Sequence, residues 1–126
     1  MKYRRLLLVD DHAEVLKRIG ARLAYEDDIL VAGEARTGVD AIRLVEEVDP
    51  DVILIDPVMQ DGMGMEILKR IREMFPLISI VVLTSIVDAA LNVELKKLGI
   101  NDVLEKSVDS DALVEMVRAV NSQSIT

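Results

Sequence analysis

Five side chains carry the chemistry this sequence offers: Asp10 and Asp11 behind one apolar run, Asp56 behind another, Thr84 behind a third and Lys106 at the end of a fourth. Capping of the next helix explains any one of these aspartates taken alone. Three carboxylates brought together are another matter, because like charges at close range raise each other's pKa unless a cation neutralises them. A hard divalent cation with oxygen ligands, most naturally magnesium keeping several waters, does this. Lys106 adds a point charge suited to a phosphate, and Thr84 adds a hydroxyl able to hold a phosphoryl oxygen. A carboxylate, a cation, an ammonium and a hydroxyl together make a phosphoryl-transfer site. Asp56, at the centre of the group, is the candidate nucleophile, since carboxylates form acyl phosphates in covalent catalysis.

Such a site requires elements that bring four distant stretches to one edge. Apolar runs of strand length, over 6–9, 29–35, 52–55, 78–83 and 103–105, alternate with segments of helical period along the whole chain. That alternation signals βαβ units and a parallel sheet covered on both faces. The helices are marked by stripes: Val15, Ile19 and Leu23; Ala41, Leu44, Val45 and Val48; Ile67, Ile71 and Met74; Leu91, Leu95 and Leu98; Leu113, Val117 and Val120. Thr37 with Asp40 reads as a capping box, Asp49-Pro50 as a helix stop and Gly99 as a helix end, while Ser85 with Asp88 reads as a second capping box. Five βα units with right-handed crossovers suit an α/β, flavodoxin-like, doubly wound (βα)5 sandwich with strand order 2-1-3-4-5. The first and third strands are then neighbours, and ligands bind in the crevice at their carboxyl ends.

The 126 residues fit one domain, read as 1–121, with 122–126 as a polar tail or the start of a linker. Apolar residues make up 51% of the chain and aromatic ones only 2%, so the core is built from Val, Ile, Leu, Ala and Met. A net charge of -8 repels phosphate backbones and argues against direct binding of nucleic acid by this chain. The absence of cysteine excludes disulfide and thiolate chemistry, and the apolar run behind the basic first residues is too short for a signal peptide or membrane span. A soluble, intracellular protein is the expectation.

The motifs Leu8-Val9-Asp10-Asp11-His12, Pro50-Asp51-Val52-Ile53-Leu54-Ile55-Asp56 with Met59 and Gly64 following, Val82-Leu83-Thr84-Ser85 and Leu104-Glu105-Lys106 span nearly the whole chain. Together they resemble the receiver domain of two-component response regulators, and Asp10-Asp11-His12 with Gly33-Glu34-Ala35 is most similar to the NarL/FixJ transcription-regulator type. The resemblance implies that Asp56 accepts a phosphoryl group from a sensor histidine kinase. It implies that Mg2+ is held by Asp11, Asp56 and the Val58 carbonyl, with Asp10 acting through water. Thr84 and Lys106 then read the phosphoryl group. The implied output surface is the face of the fourth helix, fifth strand and fifth helix, which is also a homodimer face, and a DNA-binding domain usually follows receivers of this type.

Some positions depart from the family pattern. Val103 stands where a switch aromatic is usual, Gln60 and Ser107 replace prolines, and Pro57 directly follows the acceptor. Val58 and Ile86, two residues beyond Asp56 and Thr84, are apolar where fast self-dephosphorylation wants polar groups. The expectation is self-catalysed phosphotransfer with slow self-dephosphorylation, not an enzyme with turnover. The competing reading, a small aspartyl-phosphate phosphohydrolase, wants a second carboxylate at position 58, and a flavin-binding module wants aromatics and a phosphate loop. His12 reads as a helix-start residue rather than a metal ligand, Met59, Met63 and Met65 as core filling, and Gly62 and Gly64 form no nucleotide-binding pattern.

Overall fold

Runs of Leu, Val and Ile bury both of their faces only inside a sheet covered by helices on each side, and the fold follows from that demand. In the computed structural model, which describes residues 3–120, strands and helices alternate throughout. The elements are β1 (Arg4–Val9), α1 (Ala13–Leu23), β2 (Ile29–Ala35), α2 (Gly38–Val48), β3 (Val52–Ile55), α3 (Gly64–Met74), β4 (Ser79–Thr84), α4 (Ala89–Lys97), β5 (Asp102–Glu105) and α5 (Ser110–Ala119). The sheet is wholly parallel in the order β2-β1-β3-β4-β5, as expected of the flavodoxin-like class. The tail read over 122–126 lies outside the described residues.

Alternation along the strands divides the core in two. Leu7, Val9, Ile53 and Ile55 point to the side packed by α2, α3 and α4, where Val45, Leu68, Ile71 and Leu95 meet them. Leu6, Leu8, Val52 and Leu54 point to the other side, against Leu16, Ile19 and Leu23 of α1 and Leu113, Val114 and Val117 of α5. Burying a leucine or isoleucine contributes about 1.5–3 kcal/mol, so these two layers hold the sheet edge in place against the charge gathered on it.

The helix ends follow local chemistry. The Thr37 side chain accepts from the Asp40 N–H, Asp49 closes α2 at φ 48° before Pro50, and Gly99 follows α4 at φ 73°. Three expectations are corrected. The fourth helix starts one turn later than a Ser85 cap requires, because the Asp88 carboxylate accepts from the Leu91 N–H. Met74 is exposed at the end of α3, where Leu68 rather than Met74 completes the buried stripe. Met63 is likewise exposed, while Met59 is buried and Met65 packs at the core edge.

Candidate phosphoryl-acceptor site

Parallel register carries the site residues to one edge. Val9 and Ile55 are partners across β1 and β3, so Asp10 and Asp56, one residue further on, leave the sheet side by side. The ladder extends one bond past the strands to hold them: the Asp10 N–H donates to the Ala35 carbonyl at 3.0 Å and the Asp56 N–H to the Val9 carbonyl at 3.0 Å. On the neighbouring strands Thr84 pairs with Glu105, and the Lys106 N–H donates to the Thr84 carbonyl at 2.9 Å. Four strand ends thus deliver Asp10, Asp56, Thr84 and Lys106 to the crevice with their backbones fixed.

The loop after Asp56 is pinned at both ends. Met59 sinks into the core, and the Val58 N–H donates to Asp56 Oδ1 at 2.8 Å. Gly64, the first residue of α3, lies so close to the loop that a Cβ there would come within 1.9 Å of the Pro57 carbonyl oxygen. Only glycine lets the helix start this near the loop that follows Asp56.

The charge is concentrated and almost dry. Asp10 and Asp56 are buried, and the Lys106 ammonium sits 2.7 Å from Asp10 Oδ2 and 2.6 Å from Asp56 Oδ2 with 12% of its side chain exposed. Burial by itself pulls the lysine pKa down, but hydrogen bonds to Asp10 and Asp56 and their negative charges outweigh it, leaving Lys106 above its ordinary value. Asp11 turns one oxygen to the Gln60 N–H at 2.8 Å, while its other oxygen, Oδ1, is buried without a hydrogen-bond partner. An acceptor left unmatched beside two further carboxylates fits a cation, and the donor set of hard carboxylate oxygens suits a divalent one.

Thr84 is fully buried, and its hydroxyl is engaged with the main chain of Ile86, accepting from the N–H at 3.2 Å and donating to the carbonyl at 3.4 Å. The side chains of Val58 and Ile86 stand exposed at 44% and 54%, putting two apolar groups where the departures from the family pattern fall. Val103 packs at the edge of the core, with Leu91 and Leu98 at the same edge. The described residues hold no cis peptide bond, so the chain passes from Lys106 to Ser107 in the trans form.

One residue at the site escaped sequence reasoning. His12 does begin α1 as its N-cap residue, but its side chain makes no capping bond. The ring turns to the site instead, with Nδ1 2.9 Å from Asp10 Oδ1, 3.0 Å from Asp11 Oδ1 and 3.3 Å from Lys106 Nζ. A histidine directly after two aspartates was the available signal, and the helix-start role absorbed it.

Comparison with known proteins agrees with this geometry. Residues 6–118 match the family described as response regulator receiver domain. The chain is 36% identical over 117 residues to the transcriptional regulatory protein LiaR of Bacillus subtilis, an alignment covering 93% of this chain and 56% of LiaR. It is 32% identical over 122 residues to the response regulator protein VraR of Staphylococcus saprophyticus, covering 96% of this chain and 58% of VraR. Among solved structures, the isolated receiver domain of RcsB from Salmonella enterica superposes with a TM-score of 0.84 at 26% identity, over 94% of this chain and 88% of that one.

The chain belongs to the response regulator receiver domain family. It functions as a receiver domain of two-component signalling, and the phosphohydrolase reading is not favoured. It spans little more than half the length of the LiaR and VraR proteins it matches. No helix among the described residues is long and apolar enough to cross a membrane.

Proposed function

We propose that Asp56 receives a phosphoryl group from the phosphohistidine of a sensor histidine kinase, in a reaction that requires Mg2+ and changes the protein's output face. The observation that carries this reading is the Lys106 ammonium bonded at once to Asp10 and Asp56 at the end of β3. In the transfer, an Asp56 oxygen forms the bond to phosphorus as the phosphorus–nitrogen bond of the donor breaks, the electron pair staying on the imidazole. Mg2+ held by Asp11, Asp56 and the Val58 carbonyl, with Asp10 acting through water, supplies positive charge to the phosphoryl oxygens when bound. Lys106 provides a second positive group already in place, so little reorganisation is needed as charge shifts. Thr84 donates a hydrogen bond to a phosphoryl oxygen only by giving up the one it donates to the Ile86 carbonyl, and that exchange couples Asp56 to the chain leading into α4.

The apolar side chains of Val58 and Ile86 offer no hydrogen bond to an attacking water, so self-dephosphorylation is slow and the chain has no enzymatic turnover. The face of α4, β5 and α5 serves as the output and homodimer surface. Direct contact with nucleic acid is left to a separate DNA-binding domain in longer proteins of this kind, as the net charge of -8 suits. The working compartment is the cytoplasm, where sensor kinases present their phosphohistidine.

Intact-protein mass spectrometry after incubation with acetyl phosphate tests the reading, with and without Mg2+, on wild type and Asp56→Asn. One phosphoryl added only to wild type and only with Mg2+, lasting minutes or longer, is the expected result. An unlabelled wild type beside a labelled control receiver would sink the proposal, and a lifetime of seconds would overturn the slow-hydrolysis part alone.

A further inference from the structure

We propose that His12 is a ligand of the cation beside Asp56, giving the site a nitrogen donor and a preference for imidazole-binding first-row divalent ions over magnesium. This rests on the cation-dependent reading above and adds to it which ion the site favours. His12, Asp10 and Asp56 each offer a donor atom, and the three atoms lie within 4.8 Å of one another. Side chains so placed already converge on one positive centre, since the Lys106 ammonium touches Asp10, Asp56 and His12 Nδ1.

Spacing sharpens the case. Two ligands at right angles on an octahedral ion with bonds of about 2.1 Å stand about 3.0 Å apart. His12 Nδ1 lies 2.9 Å from Asp10 Oδ1 and 3.0 Å from Asp11 Oδ1. A hydrogen bond accounts for the first contact but not for the second, because Asp11 Oδ1 is buried and has no hydrogen-bond partner. A ring nitrogen and a carboxylate oxygen 3.0 Å apart with no hydrogen bond joining them stand as neighbours on one ion stand.

The bland alternative is a residue that merely starts α1. Against it, the side chain makes no capping bond and bends back toward the carboxylates although half of it is exposed to water. An imidazole changes selectivity in a known direction. Magnesium takes oxygen and keeps its waters, whereas cobalt, nickel and zinc gain from nitrogen ligands along the usual order of divalent affinities.

Isothermal titration with CoCl2 and separately with MgCl2 tests this on wild type, His12→Ala and His12→Asn. The asparagine variant keeps a side chain suited to a helix start, so both variants are expected to fold with thermal midpoints near wild type. Wild type is expected to bind Co2+ at least about ten-fold more tightly than Mg2+, in keeping with a nitrogen donor. Both variants are expected to lose about ten-fold in Co2+ affinity while Mg2+ affinity stays within about two-fold, and the visible spectrum of bound Co2+ shifts as its nitrogen donor is lost. Unchanged Co2+ binding in the variants, or equal loss for both ions, overturns the role of His12 and leaves the magnesium switch standing. Failure of wild type to bind either ion overturns both readings.

Discussion

The two helices that flank β5 are held in different ways. α5 buries Leu113, Val114 and Val117 and is tied down by charge as well, Arg118 reaching Glu26 and Asp28 beyond α1 while Arg22 of α1 reaches Asp111. α4 buries Leu95 alone, Leu91 and Leu98 are half-covered, and every residue from 85 to 90 before and into it is exposed. Elements that move in a switch come from the weakly held end of a structure. Under the proposed phosphorylation of Asp56, this contrast favours α4 as the responsive element and α5 as the frame against which it moves, with the Thr84 hydroxyl on Ile86 as the catch leading into α4.

The largest expected effect comes from removing the single anchor. Leu95→Ala should cost about 2–5 kcal/mol, as large-to-small changes at a fully buried leucine do. Its mark is location: hydrogen exchange should show the α4 amides opening well before those of α5. In Leu113→Ala, with a similar loss, the helices should open together with the whole domain. If α4 in Leu95→Ala opened only with the rest of the molecule, the difference between the helices would be cosmetic.

A smaller change sharpens the same comparison at the catch. Thr84→Val keeps the shape of the side chain but removes the hydroxyl that bonds both main-chain groups of Ile86. About 1 kcal/mol of stability should go with those bonds. Faster exchange of the amides from 86 to 91, with α5 unchanged, is the expected signature, and chemical shifts of the unphosphorylated variant should move only in that stretch and in α4. Shifts spread evenly over α4 and α5 would show that the two helices respond as one.

Legibility in the sequence follows the same division between strand ends and side-chain directions. Asp10, Asp56, Thr84 and Lys106 were readable because a period of two and a parallel register carry each to the same edge, whatever the details of packing. The first strand starts at Arg4 rather than residue 6, because Arg4 and Arg5 pair through their backbones with Ile29 and Leu30, a bond that side-chain polarity does not reveal. The stripe of α3 stops at Ile71, since Met74 stands exposed as the last residue of the helix, while Leu68 supplies the further buried position. Ser85 with Asp88 matches a capping box in sequence, and only the placement of the exposed loop makes Asp88 itself the cap. The turn of His12 toward Asp11, and of Thr84 toward Ile86, depends on rotamers that spacing does not encode.

The smallest effect concerns the frame itself and is best seen in its pH dependence. Asp28 sits below its ordinary 3.8 because it accepts from Arg118, and Glu26 sits below its ordinary 4.5 because it accepts first from Arg22 and then from Arg118. A carboxyl whose folded pKa is lowered adds stability that is fully present above the unfolded value and is lost as pH falls through the folded one. Denaturant titrations of wild type should therefore show stability falling from about pH 4.5 downward, partly through these two groups. Arg118→Ala releases Asp28 and half-releases Glu26, so their pKa values, followed by carboxyl NMR, should rise toward ordinary ones and the acid limb should flatten. Because both acids stand near the surface, the difference between the proteins should be small and should shrink further in high salt. With the tie cut, the exchange rates of α5 should approach those of α4. An α5 that stays as protected as before would show that Leu113, Val114 and Val117 hold the frame without help from charge.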